Sequence, residues 1–482
     1  MQLRIMRFIL ILPSILFALC SGIASAEEDF ATWLQGLQQE ALTAGISKQT
    51  VTAVIEHIDY IPSVIKLDRA QPEFISPFLD YYYRRIDAVK IERGRELLKK
   101  HEAFLNQLEL QYGVPKSILI AFWGMETNYG SYQGDIDTLS SLATLAYDGR
   151  RAAFFRSQLL DAMRMIEADE ADVDDLHGSW AGAFGHMQFM PTTLLTFAID
   201  GDGDKRIDIV GSEADALASA ANYLSQVGWR KDEPAILEVQ LPENFNWQSA
   251  QLIIRKPIEE WVQLGVKIPK DEMVVEVREV SPKISTKLAK NKAKNKRTAS
   301  KKAVLIKKKL KLKKPVIQNT QQIAAQHLSS SPLPSKPIKL ASAEYPSQFP
   351  TVSGPAAIIL PQGWRGPAFM VFDNFDVMLD WNRSVNYALS VAQLAKRING
   401  EPHIIGGQSA ETGALTFEQM FELQATLNTL GYDSGEPDGF PGLQTQAAIR
   451  AYQVQEHLPA DGYASPSLWK SLQQTQSLNL KD

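Results

Sequence analysis

A glutamate on an apolar helix face is the residue in this chain best suited to acid–base chemistry. Pro115 to Gly130, PKSILIAFWGMETNYG, reads as a helix with Pro115 at its first position and Gly130 closing it. Leu119, Phe122, Trp123 and Glu126 recur at i, i+3, i+4 and i+7, so one face carries a leucine, two aromatics and then a carboxylate. A carboxylate among apolar side chains is costly unless it is paired or protonated. Burial raises its pKa, and a raised pKa suits a general acid near neutral pH. A structural ion pair or backbone hydrogen bond would explain the same placement, so the helix alone leaves both readings open.

Other groups could bind. Gly178 to Pro191, GSWAGAFGHMQFMP, spaces glycines among aromatics. Glycine lets backbone approach a ligand closely, though it also simply builds turns. Arg150 and Arg151 are adjacent, and planar guanidinium groups can hold carboxylates or carbonyls as readily as they form surface salt bridges. Asp200, Asp202, Asp204 and Asp208 follow the odd-position spacing of an EF-hand-like Ca2+ loop. Two departures weaken that match: Lys205 stands where the turn wants Gly, and Gly211 where the loop wants Glu. A metal-free turn knitted by Asp side chains explains the run equally well. No zinc-ligand set and no Ser/Cys–His pair is visible, which argues against peptidase or amidase chemistry.

The elements that must position these residues are mostly helical. Residues 30–60 carry two helical runs, and Asp68 to Phe74, DRAQPEF, reads as a Pro-punctuated loop. Residues 78–112 read as one long helix, and Thr138 to Tyr147 as a short one after a polar loop. Asp215 is a candidate cap for a helix reaching Gln226. Residues 234–280 turn mixed: AILEVQLP, a helix around Gln248–Leu264, then MVVEVREV. Leu360 to Phe372 reads as a turn and a strand. The expected fold class is therefore mainly α (α+β), with a small β element.

Net charge is −5 over 482 residues, but it is unevenly placed. Residues 281–314 hold fourteen Lys and one Arg with no acid, and the remainder keeps 35 basic against 55 acidic side chains. Residues 281–345, Lys-rich and then Ser/Pro/Gln-rich, read as a disordered insertion. Anionic wall polymer or membrane lipid is the partner such a segment fits, including the short basic piece VLIKKKLKLKK; a solvated loop fits as well. Residues 1–26 read as a secretory signal peptide: Arg4 and Arg7, the apolar run Phe8–Leu19, then Ala24-Ser25-Ala26. That leader makes nucleic acid an unexpected partner. The single cysteine, Cys20, lies inside it, where lipidation is the alternative to cleavage after Ala26; Leu19 is larger than a lipidation signal wants. Periplasmic localisation is the expectation.

The words around Glu126 add a resemblance. Glu126-Thr127-Asn128-Tyr129-Gly130, the Gly-rich run some fifty residues on, DRAQPEF, and Trp381-Asn382-Arg383-Ser384-Val385-Asn386-Tyr387 together resemble the family B lytic murein transglycosylases. The resemblance implies a lysozyme-like catalytic domain over 27–400, interrupted by the insertion. It implies Glu126 as sole catalytic acid/base, and Arg150, Arg151, Ser179, Gln188, Tyr223, Asn382 and Tyr387 as substrate-binding cleft residues. His186 is read as structural. Trp381 stands where some members have Tyr, which would lose a hydroxyl hydrogen bond. Any Ca2+ at Asp200, Asp202, Asp204 and Asp208 would be structural, with no cofactor required for catalysis. After a linker at 401–414, residues 415–475 resemble the three-helix peptidoglycan-binding domain 1, through Asp438-Gly439 and Asp461-Gly462 turns each followed by a helix. The implied reaction cleaves peptidoglycan glycan strands between N-acetylmuramic acid and N-acetylglucosamine, without water, to a 1,6-anhydro product. A hydrolytic muramidase using Asp135 or Asp137 as second acid, or a wall-binding protein without catalysis, are the alternatives.

Overall fold

The computed structural model describes residues 29–70, 76–168, 170–269 and 348–479. The readings for the leader and Cys20, for Gln71 to Phe74, for MVVEVREV and for the insertion at 281–345 lie outside these residues. The described chain is mainly helical. In order, the helices are α1 Phe30–Thr43, α2 Lys48–His57, α3 Pro62–Ala70, α4 Phe78–Arg85, α5 Ala88–Lys100, α6 Glu102–Tyr112, α7 Lys116–Thr127, α8 Thr138–Tyr147, α9 Ala152–Glu167, α10 Pro191–Phe197, α11 Glu213–Gln226 and α12 Ile258–Gln263. Then come α13 Asp373–Trp381, α14 Val385–Ile398, α15 Phe417–Thr429, α16 Leu443–Gln455 and α17 Pro466–Asn479.

Helix α7 is the centre of the larger core. Ser117 to Met125 and Thr127 are all buried, so it is enclosed on every side instead of showing one apolar stripe. Helices α5, α6, α11 and α14 pack around it. Burying a side chain such as Phe122 or Trp123 stabilises the fold by about 2–3 kcal/mol each. The helix ends sharply. Asn128, Tyr129 and Gly130 are all left-handed, at φ 50°, 61° and 76°, and the Tyr129 N–H returns to the Trp123 carbonyl. Tyr129 holds that conformation because its buried ring meets Trp123 edge-on at 6.0 Å and its hydroxyl donates to the Lys90 carbonyl at 2.8 Å.

Among the described residues, two antiparallel sheets flank this core. Strand β1 (Ile136–Asp137) pairs with β2 (His177–Gly178). A four-stranded sheet has the order β3 (Ile236–Val239), β6 (Ala368–Val371), β5 (Ala356–Ile359), β4 (Arg255–Lys256). Ile236 pairs with Val371 and Ala357 with Val371 from the other side. The sheet thus interleaves strands from residues 236–256 with strands from residues 356–371.

Several sequence readings need correction. The expected long helix 78–112 is three helices, because Ile86 is extended and Asp87 caps α5 by accepting from the Lys90 N–H. His101, at φ −101°, separates α5 from α6. Asp68 and Arg69 belong to helix α3, not to a loop. The helix expected at Gln248–Leu264 reduces to a 3-10 turn, Trp247–Ser249, and the short α12. Ser212, not Asp215, caps α11. The C-terminal residues form the three helices α15–α17 around their own core of Leu423, Leu427, Ile449, Tyr452 and Leu472, among others.

Candidate active site

Glu126 is the last residue but one of α7, partly buried, with its Oε1 accepting two hydrogen bonds. The Trp381 indole Nε1–H donates to it at 2.8 Å, and the Tyr387 hydroxyl donates to the same oxygen. The sequence brings these donors there through one turn. Trp381 ends α13; the Asn382 side chain accepts from the Ser384 N–H; Ser384 caps α14 by accepting from the Tyr387 N–H. Asn382 therefore shapes the turn that aims Trp381 and Tyr387 at Glu126.

Burial pushes the Glu126 carboxyl up to about 7, against the two hydrogen bonds and the Arg85 cation, all of which favour the carboxylate. The same burial, with Glu126 beside it, raises the Tyr387 phenol well above its ordinary range. The group is thus poised to give a proton near neutrality and to hold the charge left behind.

An aromatic cluster packs around Trp381, the indole that donates to the acid. Trp381 lies 4.3 Å from Phe122, 4.9 Å from Phe189 and 5.3 Å from Tyr223, the last perpendicular to it. Tyr223 thus reaches the site through Trp381. Ser179 and Gln188 shape the turn that carries Phe189. Ser179 Oγ accepts from the Ala183 N–H at 3.3 Å. Gln188, at φ 49°, donates its amide to the Gln133 and Gly185 carbonyls at 2.8 and 3.0 Å. His186 has a structural post here: its Nδ1 accepts from the Trp123 indole at 3.1 Å, and its carbonyl accepts from the Thr127 hydroxyl at 2.8 Å. It thereby ties the Gly-rich turn to the last turn of α7.

Arg150 and Arg151 are committed elsewhere. Both guanidinium groups form ion pairs with the buried Asp68 of α3, although each stays partly exposed. The two candidate second acids have partners of their own. Asp135 accepts from the Tyr132 hydroxyl at 3.2 Å, while Asp137 caps α8 and pairs with His57 at 2.7 Å. The residue that sequence reasoning undervalued is Trp381. Its tryptophan supplies an N–H donor where the loss of a hydroxyl bond was expected; the aromatic beside Asn382 was the available signal.

In the acidic loop, one carboxylate oxygen from each of Asp200, Asp202 and Asp204 lies within 4.8 Å of the others. Hard carboxylate oxygens suit Ca2+. Asp208 is not in that group; it accepts from the Val210 and Gly211 N–H groups. The buried Asp215 instead braces the loop, accepting from the Gly201 and Asp208 N–H groups at 2.7 Å each. Lys205 takes up φ 72°, the left-handed turn for which an EF-hand loop uses Gly.

The Transglycosylase SLT domain matches residues 29–308 and 294–396. The chain belongs to the SLT transglycosylase family. A peptidoglycan binding domain matches residues 418–472. This SLT protein is 35% identical to SltB3 of Pseudomonas aeruginosa, solved in complex with NAG-anhNAM-pentapeptide; the alignment covers 92% of this chain and 100% of that one, with a TM-score of 0.72. It is 31% identical over 204 residues to membrane-bound lytic murein transglycosylase B of Escherichia coli K12, covering 40% of this chain and 56% of that protein. The fold is shared with the Escherichia coli lytic transglycosylase Slt35 in complex with calcium, at 22% identity, 76% of this chain, 92% of that one and a TM-score of 0.52.

Proposed function

We propose that this SLT protein is a lytic transglycosylase that cleaves peptidoglycan glycan strands between N-acetylmuramic acid and N-acetylglucosamine, with Glu126 as its one acid and base. The observation that carries this is a carboxyl held near pKa 7 with two donors on one oxygen and aromatics packed around one of those donors. Protonated Glu126 gives its proton to the glycosidic oxygen. The carboxylate that results is stabilised by the Trp381 N–H and the Tyr387 O–H, bonds that strengthen as charge develops. It then takes the proton of the muramic C6 hydroxyl as that oxygen closes on C1. The aromatic cluster of Phe122, Phe189, Tyr223 and Trp381 excludes water, which favours the internal hydroxyl. On the family resemblance Ser179, Gln188, Asn382, Arg150 and Arg151 belong to the cleft, and both arginines also pair with Asp68.

Asp200, Asp202 and Asp204 would hold a Ca2+ ion whose role is to stiffen the loop before α11. Among the described residues no helix is long and apolar enough to cross a membrane. Export by the leader at 1–26 would deliver the protein to the periplasm, with the catalytic domain spanning 27–400 and the wall-binding module 415–475. The Lys-rich insertion would add contact with anionic wall or membrane.

The deciding experiment is mass spectrometry of the muropeptides released from purified peptidoglycan. The expected product carries 1,6-anhydro-muramyl ends, and Glu126→Gln should reduce its formation by about a thousandfold or more. Reducing ends would instead make the protein a hydrolase.

A further inference from the structure

The C-terminal module contains the same polar turn twice. In the first, Gln424 Nε2 donates to Asp438 Oδ1 at 2.9 Å, the Gly439 N–H donates to Gln424 Oε1 at 2.8 Å, and the Phe440 N–H donates to Asp438 Oδ1 at 2.9 Å. In the second, Gln453 Nε2 donates to Asp461 Oδ1 at 2.8 Å, the Gly462 N–H to Gln453 Oε1 at 2.8 Å, and the Tyr463 N–H to Asp461 Oδ1 at 2.9 Å. Each turn therefore uses only the Oδ1 oxygen of its aspartate.

The second turn is occupied. Asp461 Oδ2 accepts the Trp364 backbone N–H at 2.8 Å, from the loop ahead of β6. The residue before that N–H is Gly363, at φ +71°, and a Cβ of the L configuration on it would stand 2.9 Å from Asp461 Oδ2. The bound peptide thus presents an amide that follows a left-handed residue with no L side chain. A D-residue meets both conditions, since positive φ is its favoured region and its side chain replaces the other α-hydrogen.

The first turn is open. Asp438 is exposed, and no hydrogen bond reaches its Oδ2 among the described residues. Apolar side chains are left in solvent on the adjoining elements: Phe417, 5.8 Å from Phe440 and 44% exposed; Phe421, one helical turn on from Phe417, at 44%; and Leu443, the first residue of α16, at 80%. We propose that the Asp438–Phe440 turn is the peptide-binding point of the module, its open carboxylate oxygen taking an amide N–H that follows a D-residue of a peptidoglycan stem peptide. This rests on the peptidoglycan reading above.

The test uses the full chain carrying Glu126→Gln, so that no strand is cut, sedimented with purified peptidoglycan. One sample is intact and one is stripped of stem peptides by an amidase. Asp438→Asn keeps an oxygen for the turn and converts the open acceptor to a donor. It should lower retention on intact peptidoglycan by about tenfold, the loss expected for one charge-assisted hydrogen bond. Leu443→Ser, at a position too exposed to affect folding, should lower it as well. Neither variant should differ from the parent on stripped glycan, and a D-alanine-containing stem peptide should displace the parent where its all-L counterpart does not. Retention of both variants equal to the parent on intact material overturns the proposal, as does an equal loss on stripped glycan. Failure of the parent to sediment with either sample overturns the peptidoglycan reading and this proposal with it.

Discussion

At the scale of single residues, the acid and its two donors make opposite demands on stability and activity. Glu126 ionises near 7 when folded against an ordinary value of 4.5. A carboxyl with a raised folded pKa binds more protons in the native state, so stability falls as pH rises from about 4.5 to about 7 and is level above. Glu126→Gln should therefore be the more stable protein at pH 8 by on the order of 1–2 kcal/mol, once solvent access to the cleft is allowed for, and the gain should vanish below pH 4.5; thermal unfolding at the two pH values reads it. Activity should fall as pH passes upward through about 7, where the acid form is lost. Because the Tyr387 hydroxyl favours the carboxylate, Tyr387→Phe should move this alkaline limb to higher pH, by about one unit, in a pH profile of kcat/KM. An unmoved limb would show that the hydrogen bond does not tune Glu126.

At the scale of elements, the acidic loop between α10 and α11 stores strain at one residue. Lys205 holds φ 72° without a glycine's freedom, kept there by its N–H donating to Asp200 Oδ2 at 2.7 Å. Lys205→Gly should raise stability by about 0.5–1 kcal/mol in the absence of divalent ions, measured by denaturant titration. Ca2+ should raise the melting temperature of the parent chain in proportion to the logarithm of its concentration, and Asp202→Ala should abolish that rise. The neighbouring Gly-rich turn is held differently. Its His186 accepts the Trp123 indole in the core, so His186→Leu strands a buried donor and should cost about 1–3 kcal/mol.

At the scale of the whole molecule, the segment expected as a linker at 401–414 is irregular but pinned. The buried Glu238 of β3 accepts from the Ile405 and Gly406 N–H groups, and Gln362 donates to the Glu411 carbonyl at 2.9 Å. Asp461 adds the contact to Trp364. The segment 401–414 and the loop at Trp364 are thus held by three specific side chains, Glu238, Gln362 and Asp461, acting on backbone groups, and the Glu411 carboxylate accepts from Ser467 of the module. Asp461→Asn replaces the accepting oxygen with a donor and should speed proteolytic cleavage within 401–414, with the module's own helices still folded; an unchanged cleavage rate would mean that Glu238 and Gln362 hold the module without it.

Much of this was written in the sequence, and the reason is local. The period of apolar residues, the caps and the turn glycines act within a few positions, so the span Thr138–Tyr147 and the helical character of the C-terminal residues were legible from residue types, whereas the count of three C-terminal helices and the return of the chain across the insertion were implied only by the family resemblance. Glu126 stood out because a carboxylate on an apolar helix is costly wherever that helix packs. The tertiary structure decided what crosses long stretches of chain. Trp381 and Tyr387 lie more than two hundred and fifty residues from Glu126, yet they meet on one of its oxygens. Arg150 and Arg151 turn to Asp68 because a buried carboxylate must be paired, and no spacing rule says which cation will reach it. The long helix expected at 78–112 broke at Asp87 because a side chain that can accept the Lys90 N–H competes with helix continuation only when the chain has somewhere else to pack.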